Sequence, residues 1–270
     1  MRQDLETIFG RTKDILIGMV HVPALPGTAA HDTEPTSIIS ESVQQARILA
    51  EAGFDALLLE NMHDTPYLLR AVGPEIVACM TAVTSAVRQA VDLPLGVQIL
   101  AGANRDALAV AHASGAQFIR AEGFCFTSIA DEGAMLTADA GPLLRYRRTI
   151  NAEHIAVFAD IRKKHSSHAM TADLSIADWA HGAEFMGADA LIVTGDATGQ
   201  STDLSDVQAA KDACNLPIFV GSGISEATVR SVLNIADGGI IGSDLKKDGY
   251  WKNNLELDRC QAVISNGRRN

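Results

Sequence analysis

The sequence predicts a single-domain (β/α)8 barrel of the TIM type in the α/β class, and three features of its 270 residues carry that prediction. Eight short apolar, β-rich runs alternate with segments of helical period, the pattern of a parallel sheet covered on both faces. Three consecutive strand units also recur in order half a chain later: AGFDALLLE is answered by MGADALIVTG, DLPLGVQIL by NLPIFVGSG, and SGAQFIRAE by ADGGIIGS. Such doubling in a chain of roughly 250 residues fits a closed barrel. A doubly wound open sheet would instead place GxGxxG after its first strand, and here the first strand runs into HVPALPG.

The strands are assigned to ILIGMVH (15–21), DALLLE (55–60), PLGVQIL (94–100), AQFIRAE (116–122), HIAVFAD (154–160), DALIVTG (189–195), PIFVGSG (217–223) and GGIIGS (238–243). Between them, SIISESVQQARILAEAG, PEIVACMTAVTSAVRQA and SIADWAHGAEFMG have helical period, and the first and third close on glycine, where a helix C′ residue belongs. The apolar run from Ile76 to Val87 falls short of the ~20 residues of a membrane span and reads as a buried helix. Between the last two strands, Ser225 is placed as the N-cap of a helix with Ala227, Val229, Val232, Leu233 and Ile235 on its apolar face. One domain is expected over 1–270, with core strands from about 15 to 243 and a closing helix over about 254–265.

Composition narrows the function. A hydrophobic content of 47% supports one sizeable core, and a net charge of -11 argues against a nucleic-acid partner, which needs a clustered positive face. The opening MRQDLETIFG lacks the apolar core of a signal peptide, and its acidity is unlike a mitochondrial transit peptide. Nothing in the chain reads as a basic amphipathic membrane helix, so no membrane insertion and a cytoplasmic location are expected. Cys79, Cys125, Cys214 and Cys260 lie far apart with no CxxC spacing and read as small buried hydrophobes. Barrels of this size associate through helix faces often enough that a homo-oligomer stays open.

In such barrels the loops after the seventh and eighth strands commonly form a phosphate site. Here those strands end in Gly221-Ser222-Gly223 and Gly242-Ser243. Glycine lets phosphate oxygens approach the backbone and serine adds a hydroxyl, so Ser222, Gly223, Gly242 and Ser243 are assigned to phosphate binding. The other strand tips carry His21, Glu60 with Asn61, Gln98, Arg120 with Glu122, Asp160 with Lys164 and His165, and Thr194 with Asp196, a polar ring above an apolar stack.

Glu60 and Glu122 leave apolar strands toward a common mouth, where neighbouring carboxylates raise one pKa and suit acid–base work. Asp160, Arg162 and Lys164 share period-two parity and would face one side if the strand continues past Asp160. Lys164 is then a candidate general acid, Schiff-base former or ion-pair partner. His165 and His168 in RKKHSSH would share a face only on a helix, and a polar loop is the competing reading. Glu60, Glu122, Asp160 and His165 together would suit a divalent metal such as Mg, Mn or Zn; no cofactor is firmly implied.

IGMVHVPALPG, LLLENMHDTPY, GAQFIRAEGF, LLRYRRTI, FADIRKKHSSH, VTGDATG and GSGI…DGGIIGSDLK together resemble the BtpA family, which includes an SgcQ-like branch, from about Ile15 to Lys247. The resemblance implies a TIM-like barrel. The family is named for photosystem I biogenesis, whereas SgcQ-like members are similar to proteins associated with carbohydrate uptake and sugar-phosphate metabolism. Asp160, Lys164 and His165 match an Asp-x3-Lys-His pattern shared across the family. Photosynthetic members tend to read Arg-Val-Asn where this chain reads Arg120-Ala121-Glu122, and they lack the HSSH run, so the resemblance is to a non-photosynthetic branch. The expected function is therefore an enzyme acting on a small phosphorylated metabolite, a sugar or nucleoside phosphate, as isomerase, epimerase, lyase or hydrolase. Asp160 and Lys164 would act at the reacting carbonyl or hydroxyl, with Glu60 or Glu122 moving a proton. The alternatives are a non-catalytic assembly or membrane-biogenesis factor and a metal-dependent hydrolase.

Overall fold

A computed structural model describes residues 4–162, 165–195 and 202–268. Eight strands close a barrel: β1 (Ile15–His21), β2 (Ala56–Glu60), β3 (Leu95–Gln98), β4 (Phe118–Ala121), β5 (Ala156–Ile161), β6 (Ala190–Val193), β7 (Ile218–Val220) and β8 (Gly238–Ile241). Every neighbouring pair is parallel and consecutive in the chain, and β8 closes onto β1. Helices α2 (Pro35–Ala52), α3 (Pro74–Ala90), α4 (Asn104–Ser114), α5 (Ala140–Thr149), α6 (Ile176–Phe185), α7 (Leu204–Ala213), α8 (Val229–Leu233) and α9 (Leu257–Arg268) follow the strands in turn.

Side chains alternate along each strand, so one parity fills the barrel and the other meets the helices. Ile15, Ile17 and Met19 of β1, Ala56 and Leu58 of β2, Phe118, Phe158, Ile192, Phe219 and Ile240 form the interior cluster. Leu16, Val20, Leu57, Leu59, Val97, Ile119, Val157, Leu191 and Val220 belong to the larger cluster shared with the helices. The interior stacks Phe118 on Phe158 at 4.9 Å, with Phe219 5.1 Å further on. A short helix α1 (Leu5–Phe9), to which the sequence pattern gave no element, joins this interior cluster through Leu5, Ile8 and Phe9. Its Phe9 lies 5.7 to 6.3 Å from all three interior phenylalanines.

The half-chain echo has a physical cause at the N-terminal ends of the strands. The residue just before each even strand accepts from the backbone of the odd strand before it: Asp55 from Leu16, Gln117 from Leu95, Asp189 from Val157 and Asp237 from Ile218, at 2.7 to 3.0 Å. Each aspartate is further held by a cation, Asp55 by Arg268, Asp189 by Arg147 and Asp237 by Lys211. The repeated sequence therefore records a repeated strand-capping device.

The structure revises some sequence expectations and decides between others. The chain from Ser225 to Thr228 forms a turn, with the Thr228 and Val229 N–H groups both donating to the Ser225 carbonyl, and α8 begins only at Val229. Strand β5 ends at Ile161, and Arg162 has φ 49°, so parity is lost before Lys164. The HSSH run is not helical: Ser166–Ser167 pairs antiparallel with Ser128–Ala130, which also pairs with Gly133–Met135 in a small sheet outside the barrel. The closing helix runs Leu257–Arg268, three residues later than expected at each end. No helix among the described residues is long and apolar enough to cross a membrane.

Candidate active site

The interior column of each strand continues upward into a polar residue or a glycine. His21, Glu60, Gln98, Arg120 and Asp160 are all buried strand residues; four share the parity of the apolar side chains beneath them, and Gln98 stands above Gly96. Thr194, Gly221 and Gly242 extend the columns of β6, β7 and β8. A cavity of about 220 Å³ occupies this mouth, and its walls include His21, Glu60, Arg120, Gly221–Ser225 and Gly242–Asp244. All four residues assigned to the phosphate, Ser222, Gly223, Gly242 and Ser243, line it, as does Glu60.

The tips of β7 and β8 are tied together. Asp244 Oδ2 accepts from the Glu226 N–H at 3.0 Å, and its other oxygen is held 3.0 Å from Arg259 Nη2. Its charge is thus engaged on the side of the loops and Arg259. Gly223 has φ 69°, in the left-handed region that glycine tolerates, which turns the chain across the mouth. A Cβ on Gly242 would lie 3.2 Å from His21 Nε2 and 3.3 Å from Met19 Cγ, so glycine keeps the β8 tip open beside His21. Among the described residues, the N–H groups of Gly223, Ile224 and Ser243 donate to no protein acceptor. Ser222 is turned the other way: its hydroxyl oxygen accepts from the Gly195 N–H at 2.7 Å, and its carbonyl accepts from Thr202.

Around the rest of the mouth, adjoining the glycine tips, lie the ionisable groups. Arg120 donates to Asp160 through Nε at 2.8 Å and Nη2 at 3.0 Å, a bidentate pair whose side chains are 4% and 1% exposed. Burial opposes the guanidinium charge, but Asp160, and behind it Glu60 and Glu122, more than offset it and hold the pKa of Arg120 above its ordinary value. The guanidinium lies against bare backbone, since a Cβ on Gly221 would stand 3.2 Å from Arg120 Nη2. His21 Nε2 is 3.9 Å from Glu60 Oε2, both side chains buried. Burial first, then the charges of Glu60 and Glu122, push the Tyr67 hydroxyl pKa up, so both carboxylates act on one neighbourhood.

Glu122 is fixed through its backbone, its N–H donating to Asn104 and its carbonyl accepting from Asn104 and Arg70. The Gln98 Oε1 and Thr194 Oγ1 atoms are buried, with no protein hydrogen-bond partner among the described residues. Asn61 and Asp64 of the ENMHD stretch are structural ties, joining the loops after β1, β2 and β3 through Leu25 and Leu100.

The remaining assigned residues fall differently. Lys164 and Asp196 lie outside the described residues. His165 is exposed in the loop after β5, Arg162 is exposed 3.8 Å from Asp206, and His168 packs edge-on against Trp179 at 5.7 Å. Among the described residues no three His, Cys, Asp or Glu side chains come together as a metal would need. Of the four proposed metal ligands, Asp160 is bound to Arg120 and His165 is exposed.

Two residues were placed in the polar ring by sequence and given no role there. Arg120 bridges Asp160 to the β7 tip, and His21 stands between Glu60 and Gly242. Their period-two register with the core below was the available signal. A third, Lys246, had no signal, because its burial depends on a loop folding back.

Comparison with known proteins places these features in a family. The model of the BtpA family matches residues 12–269. The chain belongs to that family. An uncharacterized mitochondrial protein of Caenorhabditis elegans is 42% identical over 262 residues, covering 95% of this chain and 94% of that protein. The photosystem I biogenesis protein BtpA of Synechocystis is 32% identical over 255 residues, covering 94% and 88%. Among solved structures, (S)-3-O-geranylgeranylglyceryl phosphate synthase from Thermoplasma acidophilum, in complex with its substrate sn-glycerol-1-phosphate, superposes with TM-score 0.63 at 14% identity over 98% of each chain. A 3-hexulose-6-phosphate synthase superposes with TM-score 0.58 at 14% identity, covering 93% of this BtpA-family chain and 99% of its own. At these identities the structural likeness speaks for the barrel fold.

Proposed function

We propose that this BtpA-family barrel is an enzyme acting on a small phosphorylated metabolite of the sugar or nucleoside phosphate class. The observation that carries the reading is one cavity walled on one side by the two glycine-serine tips and on the other by His21, Glu60 and Arg120. On this reading the N–H groups of Gly223, Ile224 and Ser243 receive the phosphate oxygens, with the Ser243 hydroxyl as a further donor. Ser222 holds the loop after β6 in place through Gly195. Arg120 supplies a fixed positive charge beside the phosphate or a developing oxyanion, and Asp160 positions it.

Glu60, with His21 beside it, is the group that moves a proton at the reacting carbon or oxygen, and Glu122 is the second carboxylate of the ring. This arrangement supports an isomerase or epimerase most directly, because both need a positioned base opposite a held phosphate. Lys164 and His165 follow β5 in the sequence and are assigned to the same reaction on this reading. The phosphorylated compounds named for the two solved barrels, sn-glycerol-1-phosphate and 3-hexulose-6-phosphate, agree with the assigned phosphate end.

The test is calorimetric titration of the purified chain with inorganic phosphate, glycerol phosphate, and pentose and hexose phosphates, followed by proton NMR of each mixture in heavy water. Binding that Ser243→Asp abolishes, together with deuterium uptake that Glu60→Gln abolishes, is the expected result. No binding by any phosphorylated compound would overturn it and favour an assembly factor, the role in the name of the Synechocystis relative.

A further inference from the structure

Beside the mouth, a second cavity of about 580 Å³ opens between α2, the loop after β2 and the loop after β8. Its volume lies in the range of small-molecule sites. Lys246, 3% exposed, lines it. The ammonium donates to Gln45 Oε1 at 3.1 Å, a neutral oxygen, and among the described residues no carboxylate comes within ion-pair distance of it. A buried ammonium that touches no carboxylate is costly, and the charge of Glu41, which acts on it from further off, does not offset its burial. Burial lowers the Lys246 pKa to about 8, which leaves it mostly charged at neutral pH. The reaction proposed at the mouth does not use this lysine.

The rest of the cavity narrows the ligand. His63 and Trp251 line it with ring centroids 5.0 Å apart, tilted 46°, and Lys252 Nζ stands 5.1 Å from the Trp251 ring centroid, so this wall combines aromatic surface with a second cation. Asp32 and Glu41 also line it and balance Lys246 and Lys252, so the lining carries no net positive charge and suits a singly charged carboxylate better than a doubly charged phosphate. We propose that this cavity binds a small monocarboxylate with a planar body, the carboxylate paired with Lys246 and the body laid against Trp251. Occupancy would be felt at the mouth, because Gln45, which holds Lys246, also donates to the His21 carbonyl at 3.1 Å. The inference is independent of the reaction proposed above.

Benzoate and inorganic phosphate serve as probes in calorimetric titrations of the full chain, with Lys246→Met, Trp251→Ala and Gly242→Val variants and thermal melts to verify folding. The expected result is saturable benzoate binding to the unmodified chain and to Gly242→Val, weakened at least about tenfold by Lys246→Met and measurably by Trp251→Ala. Failure of benzoate, nicotinate and indole-3-carboxylate alike to bind the unmodified chain at ~10 mM would overturn the proposal, as would equal affinity in folded Lys246→Met. Displacement of benzoate by an equal concentration of phosphate would overturn the choice of a monocarboxylate. Undiminished binding in Trp251→Ala would overturn the planar body.

Discussion

Replacing Asp160 by Asn isolates the ion pair that organises one side of the barrel mouth. The amide has the shape of the carboxylate but no charge, and one of its two polar atoms now presents N–H toward a guanidinium that can only donate. Both side chains of the native pair are almost wholly withdrawn from water, at 4% and 1% exposure, and their two contacts are 2.8 and 3.0 Å. Removing one member of a dry pair typically costs about 3–5 kcal/mol, because the other charge stays buried. Glu60 and Glu122 still act on Arg120, which places the cost near the lower end, about 3 kcal/mol.

With an unfolding entropy of about 2.1 cal/mol/K per residue, 270 residues convert this loss into a drop of about 5 °C in melting temperature. Circular dichroism melts and urea titrations at neutral pH provide the measurement. The double variant Asp160→Asn with Arg120→Met removes the stranded charge and should recover at least about half of the loss. A single variant that melts within ~1 °C of the unmodified chain, with an unchanged urea midpoint, would refute the claim that the mouth is dry enough for this pair to matter.

Four further outcomes follow from other parts of the molecule. Lys246→Met removes a buried charge whose pKa falls from 10.5 unfolded to about 8 folded, so the variant should be about 2–3 kcal/mol more stable at pH 7. Between pH 8 and 10.5 the unfolded state of the unmodified chain binds more protons, its stability rises with pH, and the gap to the variant should close in paired melts. Gly242→Val fills the space beside His21 and should weaken any phosphate ligand of the mouth at least about tenfold in titrations. Phe9→Ala withdraws the ring that touches three interior phenylalanines and should cost about 2–3 kcal/mol in urea denaturation.

The barrel was legible because its strands are apolar on both parities, which only a parallel sheet packed on both faces requires. Ile15, Ile17 and Met19 fill the interior while Leu16 and Val20 meet the helices. The polar ring was legible for a related reason: His21, Glu60 and Asp160 continue an interior register into positions where an apolar residue would have been expected. What the sequence withheld are relations between distant segments. Arg120 and Asp160 are 40 residues apart, and nothing local in FIRAE or FADIR announces a bidentate pair. Lys246 sits in GSDLKKDG, which reads as a solvated charge run; it is buried because the chain returns and pairs Lys246 with Leu255. The small sheet escaped notice because strands of two or three residues have too few alternations to register.

The two Gly-Ser tips and the polar ring are two outcomes of one constraint. Each interior column must end somewhere, and where it leaves the core the next residue of that parity faces the mouth. On β1 to β6 that residue is His, Glu, Gln, Arg, Asp or Thr; on β7 and β8 it is Gly221 and Gly242. A glycine there deletes the side chain, so backbone is what the mouth meets over a quarter of its circumference, while Arg120 and His21 press against the space left open. A ligand entering this cavity therefore finds donors fixed in the backbone on one side and titratable groups on the other. Such a surface orients a molecule with one highly charged end before any chemistry begins. Side chains at both glycines would remove that polarity while leaving the eight-stranded barrel below them intact.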